Sequence, residues 1–267
     1  MGIETKFKFK SKAASLLVGV SMLAMSSTAS GLETLPEDKS MSGMKIELVG
    51  RDDLWTYKSC DNYNESPLTK SYVDAGKLPP VNERMPKEPW MAKTDQMVDG
   101  IGEYGGTFRH VIGGRPEGFN WLAGQSQGWG GINIQLMESL TRLGPLWQIK
   151  PDEANPLPNL AKDWEWSSDR KSLTMNLIEG ARWSDGDIFD TEDIDFWWND
   201  NVQDANVASR LPKDALGAGT TLEILGPYSF KFNFDEPKGN AVLAQLAYMG
   251  GAPGPSHVMK PLHPAHN

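Results

Sequence analysis

Gly180–Trp198, GARWSDGDIFDTEDIDFWW, holds six carboxylates and three tryptophans. Three readings compete for it: a calcium loop, a pair of catalytic acids, or scaffold. An EF-hand loop needs oxygen ligands at its first and third positions, a glycine at the sixth and a glutamate at the twelfth. Gly186 and Glu192 fit the sixth and twelfth, but Ala181 and Trp183 then stand at the first and third and cannot ligate. A glycosidase would need two carboxylates across a scissile bond. Scaffold explains the residues more simply. Asp190 is an N-cap residue, and Asp193 at the third helical position makes a near capping box. Glu192, Asp193 and Asp195 sit where a helix dipole favours negative charge. Ile194, Trp197 and Trp198 are spaced to share one helical face. Trp183–Gly186 is then the tight turn that feeds this helix.

Outward from that stretch, other elements follow from pattern. Leu173–Leu177 (LTMNL) alternates apolar and polar, as a half-buried strand does. Leu222–Phe234 (LEILGPYSFKFNF) reads as a hairpin, with Ile224, Phe230, Phe232 and Phe234 alternating and Gly226-Pro227 at the turn. Asn240–Tyr248 is a short apolar helix. Ile132–Leu140 carries apolar residues at 132, 136 and 140, a helical spacing, and Tyr104–Ile112 reads as a turn and strand. Pro67–Ala75 reads as a helix stopped by Gly76. Leu78–Trp90 (LPPVNERMPKEPW) holds four prolines, which predicts an extended strap lying on the body. No period continues beyond Gly250. Strands and helices mix without strict alternation, so the pattern gives an α/β or α+β fold.

The 267 residues carry 26 Lys and Arg against 35 Asp and Glu. Lys6, Lys8, Lys10 and Lys12 precede the apolar run Ala13–Met25, and small residues follow, which is the layout of a secretory signal peptide over residues 1–29. Thirteen apolar residues are too few for a typical membrane-spanning helix of about 20. Removing 1–29 takes a net +3 from the formal charge of −9 and leaves −12. Such an acidic chain is a poor partner for nucleic acid, whose phosphates require Lys and Arg. Cys60 is the single cysteine, so there is no intrachain disulfide, and it lies too far from the apolar run to be a lipid anchor. A soluble periplasmic protein is expected.

Two further motifs invite chemistry. Gly124–Gly128 (GQSQG) spells a nucleophile elbow with Ser126 at its centre, but the preceding FNWLA is no β-branched buried strand. His257, His263 and His266 match no common zinc spacing and read as exposed residues of a disordered tail. A secreted hydrolase acting through Ser126 or a carboxylate pair is the alternative reading of the chain.

Pro156–Trp198 (PLPNLAKDWEWSSDRKSLTMNLIEGARWSDGDIFDTEDIDFWW) resembles the signature region of family 5 solute-binding proteins, the extracytoplasmic receptors of ABC importers for peptides, nickel and some oligosaccharides. The resemblance rests on Pro158, Leu160-Ala161, Trp164, Ser168-Asp169, Leu173–Leu177, Trp183–Gly186 and Asp190–Asp193. It continues through Leu222–Pro237 and covers roughly Leu78–Pro255. The family more often has Thr at position 190, and both residues cap helices. The resemblance implies a two-lobed α/β fold of the type II periplasmic-binding-protein kind. Residues 30–103 would form an extended lead, 104–137 the start of domain I, 138–255 an inserted domain II and 256–267 the re-entry into domain I. Family members run to about twice this length, so the resemblance also implies a truncated chain. It implies an ABC-importer binding protein that is not an enzyme, uses no cofactor or metal, and hands a peptide or oligosaccharide to permease subunits. By the same resemblance, Gln125, Ser126 and Gln127 correspond to a loop that pairs its backbone with ligand. Trp121 and Trp129 flank that loop and are suited to stack on a sugar or pack against a peptide side chain.

Overall fold

A computed structural model describes residues 48–57, 63–94, 101–107, 109, 136–143, 150, 156–207, 216–247 and 252–267. The first part of the chain to be described gives the one-turn helix α1 (Arg51–Leu54) and strand β1 (Trp55–Tyr57). Helices α2 (Lys70–Asp74) and α3 (Val81–Arg84) follow, then β2 (Trp90–Ala92). Strands β3 (Thr141–Arg142), β4 (Leu157–Pro158), β5 (Ala161–Trp166) and β6 (Ser172–Leu177) come next. Helix α4 (Thr191–Asp195) runs on into a π-helical segment, Phe196–Val202. Strands β7 (Thr221–Gly226) and β8 (Ser229–Asn233) form a hairpin. Helix α5 (Ala241–Leu246) and helix α6 (Ser256–Met259), the latter prolonged by a 3₁₀ turn at Lys260–Leu262, complete the set.

The body is a four-stranded antiparallel sheet in the order β5-β6-β8-β7. Its inner face follows from alternation. Leu173, Met175 and Leu177 of β6 and Phe230 and Phe232 of β8 are buried, while their sequence neighbours turn outward. Helix α4 and its π-helical extension cover that face. Trp198 meets Phe232 edge-on at 5.1 Å, and Phe232 meets Phe230 the same way at 5.4 Å. Such pairings add about 0.5–1.5 kcal/mol beyond the area they bury. The hairpin expected at Leu222–Phe234 is present, and its Phe residues point inward as the alternation predicted. Ile224 stands opposite Phe230 but is 43% exposed, because β7 is the edge strand of this sheet.

The capping box at Asp190 forms as the sequence indicated. The Asp190 carboxylate accepts from the Glu192 N–H, and the Asp193 carboxylate accepts from the Asp190 N–H. Ile194, Trp197 and Trp198 are all buried. The π-helical turn widens the wrap, so Phe196, Asn201 and Val202 are buried too, and the helix has no single apolar stripe. A second, smaller core joins Leu54 and Leu157, with Trp55 and Trp90 stacked at 5.7 Å.

Three expectations need correction. Residues 136 and 140 do not share a helical face: Leu136 is 78% exposed, whereas Leu140 is fully buried and leads into β3. The proline-rich strap is not extended throughout, since Val81–Arg84 forms a helical turn. Pro80 before it removes no needed donor, because the first N–H groups of a helix have no intrahelical partner. The helix expected over Pro67–Ala75 begins as a turn and becomes regular only at Lys70. Its stop at Gly76 is as foreseen. Gly76 has φ +66°, its N–H bonds the Val73 carbonyl, and the Lys77 N–H bonds that of Tyr72, a Schellman closure.

Candidate functional site

The ligand-facing residues expected from the resemblance, Gln125, Ser126, Gln127, Trp121 and Trp129, lie outside the described residues. So do the signal segment and Cys60. The chain that leaves this region is tied down by side chains. The Glu138 carboxylate bonds both Arg142 and the Asn159 amide, and the same amide donates to the Ser139 carbonyl. The buried Thr141 hydroxyl donates to the Leu243 carbonyl at 2.7 Å. These bonds tie Glu138–Arg142 to the β4 end and to α5.

The acidic stretch 180–198 is built into the body. Ala181–Phe189 folds back on itself through an Arg182–Ile188 bridge, and the Gly186 N–H bonds the Trp183 carbonyl. Gly186 has φ +100°, a conformation that side chains resist. Asp193 is the hub. Only 2% exposed, it accepts from the Trp183 indole N–H at 2.8 Å, the Asp190 N–H at 3.3 Å and the Ser256 N–H at 2.8 Å. A buried carboxylate with three donors is a structural joint. Asp195 accepts from the Asn199 side chain, and Asp185 and Asp187 face His257. Glu192 is exposed in the first helical turn. The stretch therefore works as scaffold.

The C-terminal histidines overturn the disordered-tail expectation. His257 pairs with Asp185 at 2.7 Å and Asp187 at 3.1 Å, and His266 pairs with Asp200 at 2.9 Å. His263 is buried edge-on against Phe196 at 6.0 Å. The carboxylate partners of His257 and His266 lie more than sixty residues away, beyond the reach of any local pattern. Among the described residues, no group of three or more His, Cys, Asp or Glu is arranged to hold a metal ion.

Two clefts run between the strap and the body. One, about 580 Å³, lies between Met85–Glu88 and Lys162, Gly180 and Tyr228. The other, about 830 Å³, lies between Lys77–Pro79, Arg84 and the turn Trp183–Gly186. Both mix cations with carboxylates, and neither includes a residue singled out for ligand contact. The strap is held by the Glu65–Arg84 pair at 2.6 Å, by Glu88–Lys162 at 3.3 Å, and by the Tyr63 hydroxyl donating to the Pro86 carbonyl. The Thr69 hydroxyl, donating to Glu65, and the Arg84 guanidinium together keep that carboxyl below its usual range.

Comparison with known proteins places these features. Residues 155–262 match the family described as bacterial extracellular solute-binding proteins, family 5 middle region. The chain is 48% identical over 257 residues to the periplasmic alpha-galactoside-binding protein of Rhizobium meliloti (strain 1021), a match spanning 95% of this chain and 37% of that protein. Among solved structures it is similar to the periplasmic binding protein MelB of Agrobacterium fabrum C58 in complex with stachyose, at 48% identity and TM-score 0.76. That match covers 84% of this chain and 34% of MelB. An oligopeptide-binding protein, OppA, matches at 32% identity and TM-score 0.61, covering 79% of this chain and 30% of OppA. The chain thus spans roughly a third of the length of these relatives, each of which is named as a binding protein. Among the described residues, no helix is long and apolar enough to cross a membrane. The signature sheet, the capped helix at Asp190 and these matches agree: residues 155–262 carry the middle region of the family 5 bacterial extracellular solute-binding proteins, and the mixed helix-and-sheet fold is similar to that of the periplasmic binding proteins of this family.

Proposed function

We propose that the chain serves, without catalysis of its own, as the substrate-capturing component of an ABC importer in the periplasm, and that its ligand is an oligosaccharide bearing α-galactosyl units. The observation that carries this reading is the 48% identity with an alpha-galactoside-binding protein across nearly the whole chain. The similarity to OppA is lower, which favours sugar over peptide. In this reading Glu138–Pro255 is the inserted domain, and Gln125–Gln127 meets the ligand through its backbone. Trp121 and Trp129 supply the aromatic faces on which pyranose rings stack. Permease subunits would receive the loaded protein, and Ser126 would have no nucleophilic role.

Calorimetric titration with stachyose and with a tripeptide tests the reading. Heat is expected with stachyose and not with the peptide. Replacing Trp121 or Trp129 with Ala should weaken stachyose binding roughly tenfold, equivalent to about 1.4 kcal/mol. Peptide binding without stachyose binding would overturn the sugar assignment. Unchanged affinity in both tryptophan variants would remove those residues from the site.

A further inference from the structure

Both ring nitrogens of His257 face carboxylate oxygens. Nε2 is 2.7 Å from Asp185 Oδ2, and Nδ1 is 3.1 Å from Asp187 Oδ2. An ionised carboxylate only accepts hydrogen bonds, and a neutral imidazole carries a single N–H. A neutral His257 would therefore set one ring lone pair against a carboxylate lone pair. The imidazolium donates to Asp185 through Nε2 and turns its charged Nδ1 side to Asp187 as an ion pair. We propose that His257 is a proton-dependent clasp: charged, it fastens α6 to the Trp183–Asp187 turn, and on losing its proton it keeps one hydrogen bond and gives up the ion pair with Asp187.

The surroundings favour the charged form. The turn brings Asp185 and Asp187, together with Arg182, whose guanidinium donates to the Gly186 carbonyl. From α4, Asp193 adds its charge and already holds the Ser256 N–H. The segment's own nearby cation is Lys260. The hydrogen bond to Asp185 is the main cause that raises the His257 pKa above its ordinary 6.5, with Asp185, Asp187 and Asp193 adding charge attraction and partial burial opposing. The same bond lowers the Asp185 pKa below its ordinary 3.8. The sign is then fixed. The contribution of His257 is fully present below pH 6.5 and is lost as pH rises through its raised value. That of Asp185 is present above 3.8 and fails as pH falls through its lowered value. The clasp is therefore tightest in mildly acidic solution. His263 takes no part: it is buried against Phe196, and its Nδ1 accepts the Ala265 N–H at 3.2 Å. Because the clasped turn also walls the larger cleft beneath the strap, loosening it frees one side of that cleft.

Amide hydrogen exchange at Ser256–Met259 in the full chain, corrected for intrinsic rates and compared with β6 and β8, reads the clasp directly. Protection at these amides should fall severalfold between pH 6 and pH 8, while the sheet stays unchanged. His257→Gln, which cannot change charge, should abolish that dependence. Asp187→Asn should abolish it differently: its amide can donate to a neutral ring nitrogen, so protection at pH 8 is retained. Overturning results would be wild-type protection that ignores pH, a dependence that survives His257→Gln, or equal loss of protection at every pH in Asp187→Asn.

Discussion

The sheet-and-helix body over 156–247 and the strap over Leu78–Trp90 are held by different physics. The body has a continuous aromatic and aliphatic core in which Leu173, Met175, Phe230, Phe232, Ile194 and Trp198 are fully or almost fully out of water. None of the strap's helical residues is buried. Along most of its length it adheres through ion pairs, one tyrosine hydroxyl and the close approach of Pro86 to Gly180, where a Cβ would lie 3.6 Å from the Pro86 Cα, and only its last residue, Trp90, joins an apolar cluster by stacking on Trp55. Area removed from water sets the strength of the first. The second depends on a few polar contacts that water competes for.

That contrast can be broken from either side. The largest effect is expected from Trp198→Ala, which opens a cavity against Phe232 and should cost about 3–5 kcal/mol, read by chemical denaturation. Asp193→Ala comes next. It strands the indole N–H of Trp183 and the Ser256 N–H together, and a loss of about 2–4 kcal/mol should appear in the same measurement. Lys162→Ala should sit at the other extreme. It removes the pair with Glu88 and should shift global stability by less than about 0.5 kcal/mol, while proteolysis within Lys77–Glu88 accelerates. A global loss as large as that of Asp193→Ala would mean that the strap belongs to the body's cooperative unit.

Much of the body is legible in the sequence. LTMNL announces its buried face through period two, and Asp190 and Asp193 announce a helix start through residue chemistry at fixed spacing. What escapes is long-range or geometric. The widening of the helix at Phe196–Val202 leaves no mark in residue type, and a 3.6-residue period misassigns Phe196. Ile132, Leu136 and Leu140 keep a helical spacing, yet Leu140 is claimed by the start of β3, where the Ala161 N–H pairs with its carbonyl. The histidine contacts join residues more than sixty positions apart, which no spacing rule sees. The candidate ligand loop is legible only by resemblance, since Gln125–Gln127 carries no chemistry that composition alone would pick out.

The strand order has a consequence for how the body assembles. β5 with β6, and β7 with β8, are neighbours in sequence joined by tight turns, so each pair closes at small entropic cost. The β6–β8 pairing must instead bring Asn176 to Ser229 across the whole span that contains α4 and its π-helical extension. Loop-closure entropy therefore favours each hairpin over the pairing that joins them, and long-range pairings of this kind slow the folding of sheet topologies. Until that pairing occurs, the inner faces of β6 and β8 and the tryptophans meant to cover them stand open to water together. That interval is when a newly made chain would be most exposed to aggregation.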